Sequence, residues 1–239
     1  MSEDLLSVFQ AGLEQLGLPQ QLEEAFLLYR QELLDWNTRF NLTAIKDPGE
    51  VLIKHFLDSL SLLQAYDQQK DIRLLDIGTG PGFPGLPLKI VRPEWRVTLI
   101  EATGKKITFL QHIVDILQLK NVKIIHGRAE DIAHQRNYRG AFDLVTARAV
   151  SSLSALLECS APFCRVGGAI VLPKKGEMGE ELAQGKQAAS LLGTRLTADV
   201  PVTLKGLDDG RRLLCWEQYK VCPLQYPRSW AVLTRNPLA

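Results

Sequence analysis

Residues 74–89 read LLDIGTGPGFPGLPLK. An apolar run gives way to a glycine-dense loop and then to residues compatible with a helix, an order that predicts a strand, a tight turn and a helix start. Gly78, Gly80 and Gly82 fall where strand becomes helix. Lacking a Cβ, they let the backbone take positive φ and approach a ligand closely. Three clustered glycines exceed what a plain turn in an α/β core requires, so this loop is the first candidate ligand site.

The neighbours of the glycines separate two kinds of ligand. Gly80, Gly82 and Gly85 fit G-x-G-x-x-G, the dinucleotide pattern whose backbone N–H groups face a pyrophosphate. Pro81 and Pro84 each remove such a donor, and Asp76, two residues before the turn, brings a carboxylate that repels phosphate. S-adenosylmethionine has no phosphate. Its methionine end carries a sulfonium and an ammonium against one carboxylate, so an acidic residue near the loop suits it and is awkward for NAD.

Outward from the motif the chain alternates. Strands are predicted at 97–100, 122–126, 142–146 and 169–172, with helices at 105–117 and 153–163 and a turn at Gly167-Gly168. Residues 176–192 read as helix, and two β-type runs, about 196–205 and 212–220, flank the hairpin signal Asp208-Asp209-Gly210. The fold class is therefore α/β: a Rossmann-like, doubly wound, mostly parallel sheet closed by an antiparallel hairpin. That arrangement is similar to class I S-adenosylmethionine methyltransferases. Before the motif, apolar positions at helical spacing in 3–36, broken at Gly17-Leu18-Pro19, predict two helices, and a polar turn at 41–48 precedes a third over about 50–66. The expected organisation is an N-terminal helical cap (1–66) covering the sheet edge, a methyltransferase domain (67–222) and a basic C-terminal tail (223–239).

With 239 residues, 46% hydrophobic and 23% charged, the chain can bury one full core. Its net charge of +1 hides an asymmetry. Residues 1–70 carry 11 Asp/Glu against 5 Lys/Arg, and residues 71–239 carry 16 against 23. A moderately basic catalytic half fits a polyanion met in a defined complex better than indiscriminate nucleic-acid binding. The acidic start MSEDLLSVFQ is unlike a signal peptide and no apolar run is long enough to span a bilayer, so a cytoplasmic protein with no membrane partner is expected. Cys159, Cys164, Cys215 and Cys222 form no C-x-x-C pair and have no histidine at ligand spacing, which predicts reduced thiols and no metal.

Ligands of doubly wound sheets sit beyond the carboxyl ends of the strands. Glu101 follows the second strand where an acidic residue accepts ribose hydroxyl protons, a role equally compatible with NAD. Ala129 and Glu130 can admit an adenine ring past a small side chain and meet its edge. Arg148 stands where amino-group methyltransferases of nucleic acid carry Asn/Asp-Pro-Pro-aromatic. As a permanent cation it cannot accept a proton, but it can pair with the donor's carboxylate or an RNA phosphate. Lys174 and Lys175, after the fifth strand, are the best phosphate contacts. His55 reads as a structural histidine beside an apolar face rather than a general base, and Cys222-Pro223 as too distant for a nucleophile.

The chain resembles the small-subunit ribosomal RNA methyltransferase G family, also called glucose-inhibited division protein B. The likeness is carried by Asn41-Leu42-Thr43, His55-Phe56-Leu57-Asp58-Ser59-Leu60, LLDIGTGPGFPGLPLKIVRPE, Gly104-Lys105-Lys106, Arg128-Ala129-Glu130, Arg148-Ala149-Val150, Lys175-Gly176, Tyr226-Pro227-Arg228 and Pro237-Leu238. The resemblance implies an S-adenosylmethionine enzyme that methylates N7 of a guanine in 16S RNA of the small ribosomal subunit. It places cofactor contacts on Gly78, Phe83, Glu101, Ala102, Thr103, Ala129, Glu130 and Arg148, beside Asp76 and Gly80 from the loop itself. It also implies an RNA contact in the tail, at Arg228. N7 of guanine has an in-plane lone pair and no proton, so no general base or covalent nucleophile is expected and no catalytic side chain is assigned. A monomer is expected. Two other classes stay open at this point: a NAD-dependent reductase, which shares the fold and Glu101, and a non-catalytic RNA-binding or ribosome-assembly factor, which shares the basic half.

Overall fold

The computed structural model describes residues 4–68, 70–148, 152–176 and 178–238. The chain begins with α1 (Leu5–Gln15), capped where the Asp4 carboxylate accepts the Leu6 N–H, and α2 (Glu23–Phe40), ended by Asn41 in the left-handed conformation at φ 50°. Where the sequence predicts one helix over about 50–66, the backbone changes winding three times. It runs through α3 (Pro48–Val51), a π-helical turn (Leu52–Leu57), α4 (Asp58–Leu60) and a 3-10 turn (Ser61–Gln64). Widened turns of this kind recur at functional sites.

The alternating part follows as β1 (Arg73–Ile77), α5 (Gly85–Val91), β2 (Arg96–Glu101), α6 (Gly104–Ile116), β3 (Val122–His126), α7 (Ala129–Ile132), β4 (Phe142–Ala147) and α8 (Leu153–Ser160). It ends with β5 (Cys164–Lys175), α9 (Gly179–Leu192), β6 (Thr194–Pro201), β7 (Arg211–Gln218) and α10 (Trp230–Arg235). The strand order is β3-β2-β1-β4-β5-β7-β6. β1 to β5 pair in parallel, and β7 runs antiparallel to both β5 and β6. Strand order reverses between β1 and β4, so the loops after these two strands diverge and leave a crevice between them.

Period-two alternation divides each strand between two cores. Leu74, Val97, Leu99, Leu144, Val171 and Leu213 join the N-terminal helices through Phe9, Phe26 and Phe56, and α6 through Phe109. Leu75, Ile77, Ile100, Val145, Ile170 and Trp216 join α8 and α9 through Leu153, Leu157, Ala189 and Leu192. On the first of these sides the cap packs together with α5 and α6, whose Leu86, Leu88, Phe109 and Ile113 belong to the same core. Two further expectations change. Gly167-Gly168 is a bulge inside β5, where the partner of Phe142 is Cys164 and that of Leu144 is Ala169. Lys174 and Lys175 lie within β5, opposite Arg212 and Arg211 of β7, rather than after the strand.

The tail is part of the same body. The Arg139 guanidinium donates to the carbonyls of Cys222, Pro223 and Tyr226, and Arg228 forms a two-pronged ion pair with Glu158, whose side chain is fully buried.

The loop between β1 and α5 separates packing glycines from open ones. A Cβ on Gly82 (φ +108°) would collide with the Tyr29 hydroxyl and the Leu86 side chain, whereas one on Gly78 (φ +64°) meets nothing within 4 Å. In thermal melts, Gly78→Ala should cost only the left-handed strain of about 1–2 kcal/mol. Gly82→Ala should add overpacking of about 1–3 kcal/mol to a similar strain and melt well below it. Equal melting temperatures would contradict this division.

Candidate functional site

Asp76 and Glu101 hold the glycine loop from two sides. Asp76 Oδ2 accepts from Thr79 Oγ1 at 2.6 Å and from Gly85 N at 2.8 Å, while its Oδ1 is buried without a partner. Burial pushes this carboxyl up to about 7, only partly offset by those two hydrogen bonds. The side chain thus sits beneath the loop, on the cap side, and acts on a ligand through its field. Glu101 Oε2 accepts from Gly80 N at 2.9 Å and Oε1 from Thr103 N at 2.8 Å. Each oxygen keeps a second lone pair for another donor.

On the α8 side of the loop lies an apolar slot of about 170 Å³. Ile77, Gly78, Ile100, Ala102, Ala129 and Leu156 line it, with Arg128, Glu130, Cys159 and Trp230 at its rim and back. Arg128 Nε donates to Glu130 Oε1 at 2.6 Å. Pockets for whole ligands run to about 300–1,000 Å³, so a slot of this size takes one flat ring system.

On the cap side lies a second, polar cavity of about 290 Å³, lined by Asp58, Ser61, Arg148, Pro173, Lys174, Lys175, Glu181, Val202, Arg211, Arg212 and Leu213. Among the described residues this lining carries five cations and two carboxylates. Arg148 Nη1 pairs with Asp58 Oδ2 at 2.6 Å, Arg211 pairs with Asp58 Oδ1, and the Arg148 guanidinium lies 5.3 Å from the Phe83 ring centre. His55 stacks on the other part of this assembly, 4.5 Å from Phe83 and 10° from coplanar. Arg148 Nη2 donates to His55 Nδ1 at 3.3 Å, so Nε2 carries the proton and donates to Thr43 Oγ1 at 2.7 Å. Thr43 is itself held by paired hydrogen bonds with the Asn37 amide. Burial, reinforced by Arg148 and Arg211, lowers the imidazole pKa to about 3. A neutral ring with both nitrogens engaged has no lone pair for a substrate proton.

Ala147, the last residue of β4, lines the slot, and Arg148, the next, lines the polar cavity. Successive residues at the end of β4 therefore line the two cavities, one to each side of the strand. The geometry fits S-adenosylmethionine: Gly78 leaves the volume a side chain would fill, Glu101 has lone pairs for ribose, and the apolar slot suits adenine.

The model of the rRNA small subunit methyltransferase G family matches residues 22–207. The chain belongs to the rRNA small subunit methyltransferase G family. "Ribosomal RNA small subunit methyltransferase G" of Dehalococcoides mccartyi is 45% identical over 95% of this chain and 97% of its own, and that of Lachnoclostridium phytofermentans is 41% identical over 97% of each. The fold is shared with Aeropyrum pernix fibrillarin, solved with natively bound S-adenosyl-L-methionine, at a TM-score of 0.54, 18% identity, 66% of this chain and 72% of that one. The fold is that of class I methyltransferases and the family is one of methyltransferases, so the reductase and non-catalytic readings fall away.

The structure brings the expected methyltransferase G site residues together in two groups. Gly78, Gly80, Glu101, Ala102, Thr103, Ala129 and Glu130 surround or adjoin the slot, while Phe83 and Arg148 stand with the polar cavity. Ala149 and Val150 lie outside the described residues. Lys174 and Lys175 line the polar cavity but are engaged with Glu181 at 2.6 Å and Asp209 at 2.8 Å. Arg228 is elsewhere, turned inward onto Glu158, and is reassigned below. Sequence reasoning missed Asp58 as the carboxylate between two arginines, although a lone acid in the apolar run LIKHFLDSLSLL signals a buried partner. It also missed Arg211 and Trp230, for which no local signal exists. The described residues hold no cluster of metal-ligand side chains. All four cysteines are free and buried, and burial pushes the Cys159 and Cys222 thiols up to about 12.

The depressed His55 pKa gives a signed expectation. Because the folded value lies below that of the unfolded chain, this group's contribution is fully present above about pH 6.5 and is lost as pH falls toward about 3. Denaturation midpoints measured across that window should fall less steeply for His55→Gln than for the parent. Identical slopes would mean that the imidazole titrates normally.

Proposed function

We propose that this chain transfers the methyl group of S-adenosylmethionine to N7 of a guanine in 16S ribosomal RNA. The observation that supports the reading is the junction at Ala147 and Arg148, which sets an apolar ring slot back to back with a cationic cavity. On this reading the unit is a monomer that works in the cytoplasm. The described residues contain no helix long and apolar enough to cross a membrane.

When bound, the cofactor supplies an electrophilic methyl on a positive sulfonium. The chain's residues bind and align. Glu101 holds the ribose hydroxyls while keeping the loop closed through Gly80 N, and Gly78 and Gly80 give the methionine end room. Asp76, beneath the loop, holds Thr79 and Gly85 in place, and a sulfonium and ammonium nearby favour its ionised form. Ala102, Thr103, Ala129 and Glu130 frame the adenosine, and Phe83 and Arg148 mark the passage to the acceptor. Lys174, largely buried and paired with Glu181, and the exposed Lys175, paired with Asp209, exchange these carboxylates for RNA phosphates.

Guanine N7 attacks with its own lone pair, so no side chain has to remove a proton. Neutral, doubly engaged His55 and the buried thiols accord with that chemistry, which leaves catalysis to proximity and exclusion of water. Positive charge passes to the guanine ring as the methyl arrives, and the Asp58 carboxylate beside Arg148 offsets the repulsion between two cations. N7 faces the deep, narrow major groove of A-form RNA, so the target base must lie in a distorted or single-stranded segment.

Small ribosomal subunits lacking the modification, incubated with the protein and S-adenosylmethionine, should gain 7-methylguanosine at one 16S position. Borohydride followed by aniline should cut the strand there, because the methylated ring is cationic. A methylated nucleotide without cleavage would contradict N7.

Glu101→Ala should weaken cofactor binding by about 1.5–3 kcal/mol, the value of hydrogen bonds to a charged group, in calorimetric titrations. Undiminished affinity would remove Glu101 from the ribose. Changing Lys174 and Lys175 to Ala should flatten the salt dependence of RNA binding and leave cofactor affinity alone. An unaltered salt slope would take both lysines off the RNA.

A further inference from the structure

We propose that Trp230 forms the outer wall of the cofactor slot, its indole face against the adenine ring, and that Arg228 is the positioning residue that holds it there. The proposal rests on the cofactor reading above and extends it to a part of the chain that the sequence marked only as a basic tail.

Trp230 is the first residue of α10 and lines the slot together with Ala129, Leu156 and Cys159. It is 37% exposed, one of the few large apolar side chains the described residues leave open, and it borders an apolar cavity. A flat heteroaromatic ring that enters such a slot needs two faces to be covered. Ile77, Ile100 and Ala129 supply one side, and the indole supplies a second with the area and polarisability that favour stacking on a base.

Trp230 is not carried on a loose end. Two residues earlier, the Arg228 backbone N and Nε both donate to Glu158 Oε1 at 2.8 Å, and Nη2 donates to Oε2 at 2.6 Å. Glu158 lies on α8 between two residues of the slot wall, Leu156 and Cys159. The same helix thus builds the slot and anchors the tail. His134 Nε2 meets the Pro227 carbonyl at 3.0 Å, and three residues beyond Trp230 the fully buried Leu233 packs with Ala155 and Cys159. Glu158 has no solvent to turn to, so its charge requires Arg228. Nε and Nη2 of this guanidinium are committed to Glu158, and its effect on the reaction runs through the indole.

The test uses the full chain and S-adenosyl-L-homocysteine, followed by calorimetry and by tryptophan emission. Trp230→Ala should weaken binding by about 5- to 100-fold, the range found for removal of one base-stacking ring. Trp230→Phe should keep most of the affinity yet lose the emission change that the parent shows on binding, since Trp36, Trp95 and Trp216 lie outside the slot. Arg228→Gln should weaken binding with Trp230 still present, and none of the three variants should alter the affinity for substrate RNA. The emission experiment on Trp230→Phe does not depend on the alanine variant folding. An unchanged affinity in Trp230→Ala, or an undiminished emission response in Trp230→Phe, overturns the proposal while leaving the cofactor reading intact. A parent protein that binds no S-adenosyl-L-homocysteine overturns the cofactor reading itself.

Discussion

Asp58 stands between two arginines that come from opposite parts of the sheet, and the site depends on that arrangement. Arg148 follows β4 and Arg211 opens β7, yet both reach one carboxylate on the cap. Its side chain is 8% exposed, against 22% for Arg148 and 18% for Arg211. In such surroundings loss of Asp58 leaves Arg148 without its ion-pair partner and costs about 3–5 kcal/mol, so the cap cannot move off the strand ends without that cost. The arrangement also sets His55. Burial, reinforced by the two cations beside it, keeps the imidazole neutral, and it serves as a flat surface for Phe83 and an acceptor for Arg148. What looks in sequence like an acid–base pair, His55 and Asp58, is a scaffold for one arginine.

That scaffold fixes the junction between the two cavities. The cap-side core runs from Phe9 and Phe26 through Phe56 to Tyr29 and Phe83, so Phe83 is packed from below and cannot shift when Arg148 is loaded. The Tyr29 hydroxyl donates to the Pro81 carbonyl and pins the loop from the same side. The α8-side core ends at Ala147 and Ala129, small residues that leave the slot open. On the proposed reading a methyl donor spanning the crevice has its ring in one core's gap and its reactive end at the other core's rim.

Much of this was legible in the sequence. The strand–glycine–helix order of 74–89 located the crevice, and period-two alternation gave a doubly wound sheet, because both depend on neighbours along the chain. The glycines were not separable: Gly78 faces open space and Gly82 faces Tyr29, a residue 53 positions earlier. The π-helical turn at Leu52–Leu57 has no local signature, since its winding follows from packing His55 and Asp58 against residues some 90 positions away. Gly167-Gly168 carries turn chemistry, and β5 absorbs it as a bulge because β4 pairs with β5 on both sides of it, at Cys164 and again from Ala169. The tail misled for a simple reason: arginine is read as a surface charge, and nothing near Arg228 announces that Glu158, 70 residues away, is buried and needs it.

The central claim is that the donor and the acceptor occupy the two cavities that meet at Ala147 and Arg148. A crystal structure of the protein with S-adenosyl-L-homocysteine measures this directly. The account predicts the adenine ring between Ala129 and Leu156, the ribose hydroxyls on Glu101, and the sulfur at Gly78 facing the cavity of Arg148, Asp58 and Arg211. An adenine ring seated in that cationic cavity, or a sulfur directed away from Arg148, would contradict it.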